Sequence, residues 1–273
     1  MTVRALRGLT IGIIGTGTMG QALIKGLLAQ GFSRRALRAA DPKAQTRRDV
    51  GRRFRLQVAG DNARVARHSD VLILAVKPQQ FPEVLQEIAP HMTRRCLVVS
   101  IAAGITLRWL QARLPKTPVI RVMPNLPATI GCGFSAIAPG RTASASHRAI
   151  VLELFGAVGE VVELPERYFD AVTAVSGSGP AYLFFLVRVW EEAARRLGLP
   201  GPIAVRAIRR TLDGSARLLL DSGEPASVLI GRVASKGGTT EAALKMLEQR
   251  RVSAHFAQAL QAAARRSREL SWS

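Results

Sequence analysis

Cysteine is scarce in this chain, with only Cys96 and Cys132 among 273 residues. Two cysteines are too few for a disulfide scaffold and are typical of a protein in a reducing cytoplasm. No cluster of cysteine and histidine occurs, so the sequence predicts no metal site. No apolar run reaches about 18 residues without a charge, and residues 1–10 lack the form of a signal peptide. We therefore expect a cytoplasmic protein without a membrane partner.

Acidic and aromatic residues are also few. Lysine and arginine number 39 against 19 aspartate and glutamate, which gives a net charge of +20, and aromatic residues make up 5%. Such a charge attracts nucleic acids as well as small anions. The basic residues are spread over many predicted helices and lack interleaved aromatics. We expect no nucleic-acid partner and interpret the charge as favouring an anionic cofactor and substrate.

Two patterns of secondary structure divide the chain. Up to residue 163, short apolar strands are predicted at 10–14, 36–40, 56–59, 71–76, 97–101, 119–122, 133–138 and 159–163. Helices predicted at 19–30, 82–88 and 107–114 alternate with them, which favours a parallel sheet covered on both faces. Beyond residue 165 only helices are predicted, at 168–197, 203–221, 225–233, 239–249 and 252–268. The fold class is thus an α/β Rossmann-type dinucleotide-binding domain, residues 1–165, followed by an all-α domain, residues 166–273.

A glycine-rich loop follows the first predicted strand and opens the first helix. Gly15, Gly17 and Gly20 fit the pattern G-x-G-x-x-G in the context that makes it specific. The first glycine permits a tight turn, the second lets the backbone approach a pyrophosphate, and the third allows close packing of helix on strand. The pyrophosphate then faces the free N–H groups of the helix. The predicted cofactor-binding residues of this loop are Gly15, Thr16, Gly17, Thr18, Met19 and Gly20.

The end of the second strand gives conflicting signals about the nucleotide. Asp41 lies 21 residues after Gly20, where an acidic residue binds the ribose hydroxyls of NAD. Lys43, Arg47 and Arg48 follow at once and suit the 2′-phosphate of NADP. Asp41 with Pro42 is also a common turn. The choice between NADH and NADPH stays open.

A second loop, residues 235–240, has the composition of a site for a small carboxylate. It places two glycines before a predicted helix, whose first N–H groups are unpaired at the positive end of the helix dipole. Glycine lets the backbone approach a ligand closely, and the serine adds a hydroxyl donor. The predicted substrate-binding residues are Ser235, Gly237, Gly238, Thr239 and Thr240. The two loops together predict hydride transfer to a small anionic substrate.

Six segments carry a resemblance to a known family: residues 15–20, 71–79, 100–106, 121–127, 174–182 and 235–240. With them the chain resembles the pyrroline-5-carboxylate reductases nearly end to end. The resemblance implies reduction of 1-pyrroline-5-carboxylate to L-proline with NADPH or NADH, the last step of proline biosynthesis. It also implies a helical domain, residues 166–273, that binds substrate and dimerises by interleaving, with larger assemblies of dimers in some members. Lys236 and Arg232 depart from the pattern of many members, and Lys236 either lies near the substrate carboxylate or points to solvent.

Further candidate residues lie where ligands of such sheets bind, at the carboxyl ends of strands. The cofactor-binding residues expected there are Asn62, Ala75, Val76, Lys77, Pro78, Ala103 and Asn125. Lys77 either faces the cofactor or is exposed, and Asn125 either contacts the nicotinamide or serves the turn.

Two hydroxyl residues are the candidates for catalysis. We expect Thr240 to hydrogen-bond the imine nitrogen, as a relay from water or as an orienting group, unless the substrate binds already protonated. Ser176 lies in the segment 176–180 that interrupts the first long helix, and this segment either passes the nicotinamide or is a kink set by Pro180.

Two other readings of the chain compete with this one. The nearest among enzymes is a β-hydroxyacid dehydrogenase or an imine-reductase relative. The hydroxyacid enzymes place a catalytic lysine early on the long interdomain helix, and this chain has no lysine between Lys116 and Lys236, which argues against alcohol oxidation and leaves imine reduction. A dinucleotide-sensing or nucleic-acid-binding protein that had kept the fold would be expected to have a degenerate 235–240 loop. Apolar residues at helical spacing, Leu183, Leu186, Val187 and Trp190, predict at least an obligate dimer whose active sites use both chains.

Overall fold

The structure, a computed structural model, describes residues 5–93 and 95–272, so the first four residues of the N-terminal segment lie outside the description. The described residues form two compact units divided after Ser178, with Ala263 and the residues beyond it returning to the first unit. The predicted domain boundary at residue 165 lies earlier in the chain than this division. It stays a prediction of where the dinucleotide-binding domain ends and the helical domain begins.

The first unit is built on one eight-stranded sheet in the order β3-β2-β1-β4-β5-β6-β7-β8. All neighbouring strands pair in parallel except β6 and β7, which are antiparallel. The strands are β1 Ile11–Ile14, β2 Leu37–Ala40, β3 Val58–Ala59, β4 Val71–Leu74, β5 Leu97–Ser100, β6 Val119–Pro124, β7 Gly133–Pro139 and β8 Gly159–Glu163. The predicted Rossmann-type α/β class is confirmed, and the carboxyl ends of β1, β2, β4, β5 and β6 share one edge of the sheet.

Helices cover both faces of this sheet. In the first unit they are α1 Thr18–Ala29, α2 Ala44–Phe54, α3 Asn62–Arg67, α4 Phe81–Ile88, α5 Leu107–Arg113, α6 Ala145–Gly156 and α7 Phe169–Val172. The sequence prediction missed α2, because only Val50 and Phe54 of its polar sequence are buried. It also missed α6, although Ser144 and His147 form a capping box at its start.

Two apolar cores lie on opposite faces of the sheet. One contains Ile11 and Ile13 of β1 together with residues of α1 and α6. The other contains Leu72 and Leu74 of β4 together with residues of α4 and α5. Because both faces are covered, side chains of both orientations are apolar, and the strands read as continuous hydrophobic runs. Burying each large side chain contributes about 1.5–3 kcal/mol.

The two cysteines differ in their surroundings. Cys96 is buried, and burial raises the pKa of its thiol to about 12. Cys132 is exposed. Both thiols are free in the part of the chain that the structure describes.

The first long helix predicted from the sequence is interrupted as expected, but by a π-helical turn. This turn, Thr173–Gly177, lies between α7 and α8 and is closed by a 2.8 Å hydrogen bond from the N–H of Ser178 to the carbonyl of Thr173. Pro180, the second residue of α8, has no N–H with which to continue the α-helical ladder. The interruption therefore sets Ser176 in a wide turn.

The second unit consists of helices. These are α8 Gly179–Arg196, α9 Gly201–Ser222, α10 Ala226–Val233, α11 Thr239–Gln249 and most of α12 Val252–Glu269. Its buried cluster is small and contains Ala194, Ala204 and Ile208. Val187, which the sequence suggested as part of an outer stripe, packs against this cluster instead.

Many large apolar side chains of this unit are exposed in the single chain. On α8 they are Leu183, Phe184, Phe185, Leu186, Val189 and Trp190. Patches of this size mark surfaces that bind another protein or a membrane. The stretch Glu166–Arg196 is also long and apolar enough to cross a membrane by length and composition alone, and 11% of its most apolar window is buried.

Candidate functional site

The glycine loop after β1 has the geometry expected of a tight turn. Gly15 has φ +91°, and a Cβ there would lie 2.7 Å from the carbonyl oxygen of Ala75. A Cβ on Gly20 would collide with the carbonyl oxygen of Gly15. Gly17 is exposed, and a Cβ there would meet no atom within 4 Å. Gly17 caps α1 without a side-chain hydrogen bond, so the start of this helix presents free N–H groups beside open space.

Asp41 holds this loop in place. Its Oδ2 accepts hydrogen bonds from both the N–H and the Oγ1 of Thr16, each 3.0 Å long, and its Oδ1 accepts one from the N–H of Lys43 at 3.0 Å. The residue is only 8% exposed. Three donors occupy the carboxylate, which therefore serves as an anchor between β2 and the glycine loop. The sequence offered a ribose ligand or a turn for Asp41 and missed its bond to Thr16.

Basic residues surround the end of β2. Nη1 of Arg47 donates to the carbonyl oxygens of Asp41 and Pro42 at 3.0 and 2.8 Å. Lys43 and Arg48 are exposed, and Arg48 donates to Gln45 at 2.7 Å. The acidic and basic residues that gave conflicting predictions about the nucleotide are thus neighbours. The carboxylate of Asp41 is turned to the glycine loop, and the guanidinium of Arg47 is fixed by backbone carbonyls.

The structure places four of the remaining cofactor candidates along the same edge. Ala75 and Val76 follow β4 and lie against Gly15. Lys77 is exposed, and its N–H donates to Oε1 of Gln80 at 3.2 Å. It leads into a 3₁₀ turn, Pro78–Gln80, which precedes α4.

Two further candidates lie in different surroundings. Ala103 is exposed after β5. Asn62 begins α3, which Asp61 caps, and its side chain donates to Oε2 of Glu87 at 2.7 Å. The amide of Asn62 is therefore already engaged by a carboxylate.

Asn125 and Ser176 lie together. Asn125 follows β6, and its Nδ2 donates to Oγ of Ser176 at 3.0 Å. Its Oδ1 accepts from the N–H of Phe134 at 2.9 Å, which fixes the amide plane. Neighbouring Met123 lies against Gly177, where a Cβ would be 2.6 Å from the methionine Cε. The end of β6 and the π-helical turn are therefore packed as one surface.

An ion pair that the sequence did not reveal supports this surface. Arg121 of β6 is 4% exposed, and its Nη1 donates to Oε1 of Glu166 at 2.8 Å. The same oxygen accepts from the N–H of Leu107 at 2.8 Å, and the guanidinium lies 4.8 Å from the ring centroid of Phe169. Arg121 is a single charged residue within the apolar sequence of β6, and from this feature a buried ion-pair partner could have been predicted.

The 235–240 loop of the second unit has the glycine-dependent shape that its sequence predicts. Gly237 has φ +73°, which favours glycine. A Cβ on Gly238 would lie 2.5 Å from Oγ and 3.0 Å from the carbonyl oxygen of Ser235. Helix α11 begins at Thr239, and its N-cap Gly238 supplies no side chain. Ser235, Gly237 and Thr239 are exposed, and Gly238 and Thr240 are half-buried.

The donors of this loop are partly occupied. The N–H of Gly238 donates to the carbonyl of Ser235 at 3.0 Å, and that of Gly237 donates to the carboxylate of Glu241. Within the described residues, the N–H groups of Thr239 and Thr240 have no hydrogen-bond acceptor. Two free donors therefore stand at the positive end of α11.

The two departures from the family pattern have ordinary surroundings. Lys236 is exposed. Arg232 forms a 2.6 Å ion pair with Glu224. Among the described residues, no group of three histidine, cysteine, aspartate or glutamate side chains is placed to hold a metal ion; that no metal takes part stays a prediction.

Comparison with known proteins covers nearly the whole chain. Residues 166–270 match the family described as pyrroline-5-carboxylate reductase dimerisation, and residues 10–104 match the family described as NADP oxidoreductase coenzyme F420-dependent. Pyrroline-5-carboxylate reductase of Pseudomonas aeruginosa is 42% identical over 262 residues, covering 95% of this chain and 96% of that protein. The Arabidopsis thaliana pyrroline-5-carboxylate reductase is 38% identical over 264 residues, covering 96% of each.

Solved structures agree. A pyrroline-5-carboxylate reductase from Coxiella burnetii superposes with a TM-score of 0.90 at 32% identity, covering 97% of this chain and 99% of that chain. Pyrroline carboxylate reductase of Plasmodium falciparum, solved with NADP bound, superposes with a TM-score of 0.86 at 27% identity and the same coverage.

Proposed function

The chain belongs to the pyrroline-5-carboxylate reductase family, and from this premise we propose that it reduces 1-pyrroline-5-carboxylate to L-proline with NADPH or NADH, the last step of proline biosynthesis. The observation that carries the proposal is the similarity of full-length reductases over 95% of the chain, which includes both loops. The absence of a lysine between Lys116 and Lys236 further disfavours a hydroxyacid dehydrogenase.

The residues at the carboxyl edge of the sheet fit a dinucleotide. An exposed glycine at the uncapped start of α1 leaves room for a pyrophosphate and gives it N–H donors. We assign cofactor binding to Gly15, Thr16, Gly17, Thr18, Met19, Gly20, Asp41, Asn62, Ala75, Val76, Lys77, Pro78, Ala103 and Asn125. For Asp41 the assignment is indirect, because its carboxylate holds Thr16.

The substrate carboxylate fits the second loop. We assign it to Ser235, Gly237, Gly238, Thr239 and Thr240, where the free N–H groups of Thr239 and Thr240 and the hydroxyls are donors for an anion. The carboxylate of Glu241 already accepts the N–H of Gly237, so the backbone donors that support this assignment are those of Thr239 and Thr240.

The reaction joins a hydride to C5 of the cyclic imine and a proton to its nitrogen. The nicotinamide supplies the hydride when the dinucleotide is bound. The chain's residues hold the two reacting carbons in line, which accounts for most of the rate enhancement. Thr240 donates a hydrogen bond to the imine nitrogen and relays the proton from water or orients a substrate that arrives protonated. Ser176, fixed by Asn125, is the second candidate at the reacting centre.

The protein works as a cytoplasmic homodimer, or an assembly of dimers, without a nucleic-acid or membrane partner. The exposed apolar face of α8 supports this, since it lies within the residues that match a dimerisation family. Light scattering at micromolar concentration tests it, and a fully active monomer would refute it.

One assay tests the activity. Purified protein is mixed with pyrroline-5-carboxylate and either NADPH or NADH at matched concentrations, and the loss of reduced-nicotinamide absorbance is followed. We expect imine-dependent oxidation of at least one nucleotide. Folded protein that oxidises neither would disprove the proposed activity.

A further inference from the structure

The last described residue of the chain binds the segment that follows β5. The N–H of Trp272 donates to the carbonyl of Gly104 at 2.8 Å, and the carbonyl of Trp272 accepts from Oγ1 of Thr106 at 2.6 Å. Ile105 and Trp272 pair as an isolated parallel β-bridge. The end of the chain is thus hydrogen-bonded on both sides of Ile105, immediately after the cofactor candidate Ala103.

The fit between these two segments depends on a glycine. Gly104 has φ +80°, and a Cβ there would lie 2.5 Å from the carbonyl oxygen of Leu270. Any other residue would therefore be strained and would push the C-terminal segment away. The conformation of the segment after β5 and the position of residues 270–272 determine each other.

A row of aromatic rings extends the contact to a second cofactor segment. The Trp272 and Trp109 rings meet edge to face with centroids 5.3 Å apart, and Trp109 meets Phe81 in the same way at 6.3 Å. Phe81 is fully buried and follows the 3₁₀ turn that contains Pro78. One row of rings therefore lies beneath both the segment after β4 and the segment after β5.

Side chains fix part of the segment after β5, because Ala102 and Ile105 are buried and the N–H of Ala102 donates to Oγ of Ser100 at 3.5 Å, whereas Ala103 is exposed. Ala103 has a small, exposed side chain and Gly104 has none, so neither residue can hold its backbone conformation by side-chain packing. A loop that is ordered before its ligand arrives avoids the entropic cost of ordering on binding. We propose that Trp272 is a positioning residue that pre-orders the cofactor-binding segments around Ala103 and Pro78; this rests on the cofactor assignments made under the proposed function.

Trp272 lies beyond residues 166–270, the part of the chain that matches the dimerisation family. It ties the end of α12 to the cofactor edge of the sheet.

The experiment compares Trp272→Ala, Trp272→Leu and Trp272→Phe with the full-length protein. Isothermal titration calorimetry with NADP⁺ and with NAD⁺, in the absence of substrate, gives the Kd. Because one edge-to-face contact and the order of one loop are lost, we expect Trp272→Ala to raise Kd by about tenfold. Trp272→Phe keeps an aromatic edge and should recover most of the affinity. Hydrogen exchange at residues 102–106 should become faster in the same order.

Ser271→Ala is the matched control, since Oγ of Ser271 donates to the carbonyl of Ser267 within the C-terminal segment itself. It should leave Kd within twofold of the wild type. If Trp272→Ala does not fold, Trp272→Leu carries the test.

Lowered thermal stability with unchanged Kd and unchanged exchange at 102–106 would overturn the proposal, because Trp272 would then be structural only. The measurement is separate from the proposed activity. Protein that binds the nucleotide but reduces no pyrroline-5-carboxylate would disprove the activity and leave the role of Trp272 testable by the same titrations.

Discussion

Asn125 and Ser176, 51 residues apart in the sequence, are joined by a 3.0 Å hydrogen bond between Nδ2 and Oγ. The asparagine directly follows β6, and the serine lies in the π-helical turn that precedes α8. π-Helical turns occur frequently at functional sites because the widened turn re-aims a side chain. Two residues that the sequence proposed separately thus form one unit.

The pair predicts non-additive effects. We expect Ser176→Ala to lower kcat/KM by about tenfold, since the amide of Asn125 loses its partner and the turn loses its tie to β6. Asn125→Asp retains an acceptor for the N–H of Phe134 but loses the donor to Ser176. Steady-state kinetics of both single variants and the double variant should show the double little worse than either single. Strictly multiplicative losses would contradict the coupling.

Because Asp41 anchors the glycine loop, we expect its substitution to weaken the binding of NADH and of NADPH alike. Asp41→Asn weakens the bonds to Thr16, and Thr16→Val removes the hydroxyl alone. We expect both variants to raise Kd for NADH and for NADPH by similar factors, about three- to tenfold for Asp41→Asn. Calorimetric titration checks this. A loss of affinity confined to NADH would show instead that the carboxylate binds the ribose hydroxyls.

The buried pair Arg121–Glu166 predicts a large cost to stability. Glu166→Ala removes an acceptor from an arginine that is only 4% exposed. An unpaired buried charge costs about 3 kcal/mol or more, so the midpoint of urea unfolding should fall clearly. Asp49→Asn is the matched control, because its pair with Arg52 is exposed by 53% and 77% and such pairs contribute less than about 1 kcal/mol. Equal effects of the two variants would argue against burial as the cause.

The sequence predicts best those features that depend on neighbouring residues. The turn at Gly15 and the glycines at 237 and 238 follow from local backbone geometry, and the structure shows a need for glycine at each. Which distant residues contact each other does not depend on the neighbouring sequence. Thr16 with Asp41, Arg121 with Glu166 and Trp272 with Gly104 each join segments that only the folded sheet brings together. Helix α2 was missed for a related reason, since two buried residues give too weak an apolar period.

Gly238 predicts a selective loss of substrate affinity. A Cβ at this position would lie within contact distance of Ser235 Oγ and its carbonyl oxygen, so Gly238→Val displaces the loop and blocks close approach of an anion. We expect KM for pyrroline-5-carboxylate to rise far more than Kd for the nucleotide. Gly231→Ala, on helix α10, is the control, because a Cβ there meets no atom within 4 Å. Equal losses for substrate and nucleotide would point to general misfolding.

Substitution of Thr240 tests the proposed route of the proton most directly. Thr240→Ala keeps the backbone donors at the start of α11 and removes only the hydroxyl, so the carboxylate should still bind. We expect kcat to fall by about one to two orders of magnitude with a smaller change in KM, if the hydroxyl relays or stabilises the proton. Thr239→Ala is the control, since it is exposed and its side chain has no assigned role in proton transfer. If Thr240→Ala retains full turnover at every pH tested, the proton must come from elsewhere, most simply from a substrate that binds already protonated. The role assigned to Thr240 would then be wrong, while the carboxylate site built from the same loop would stand.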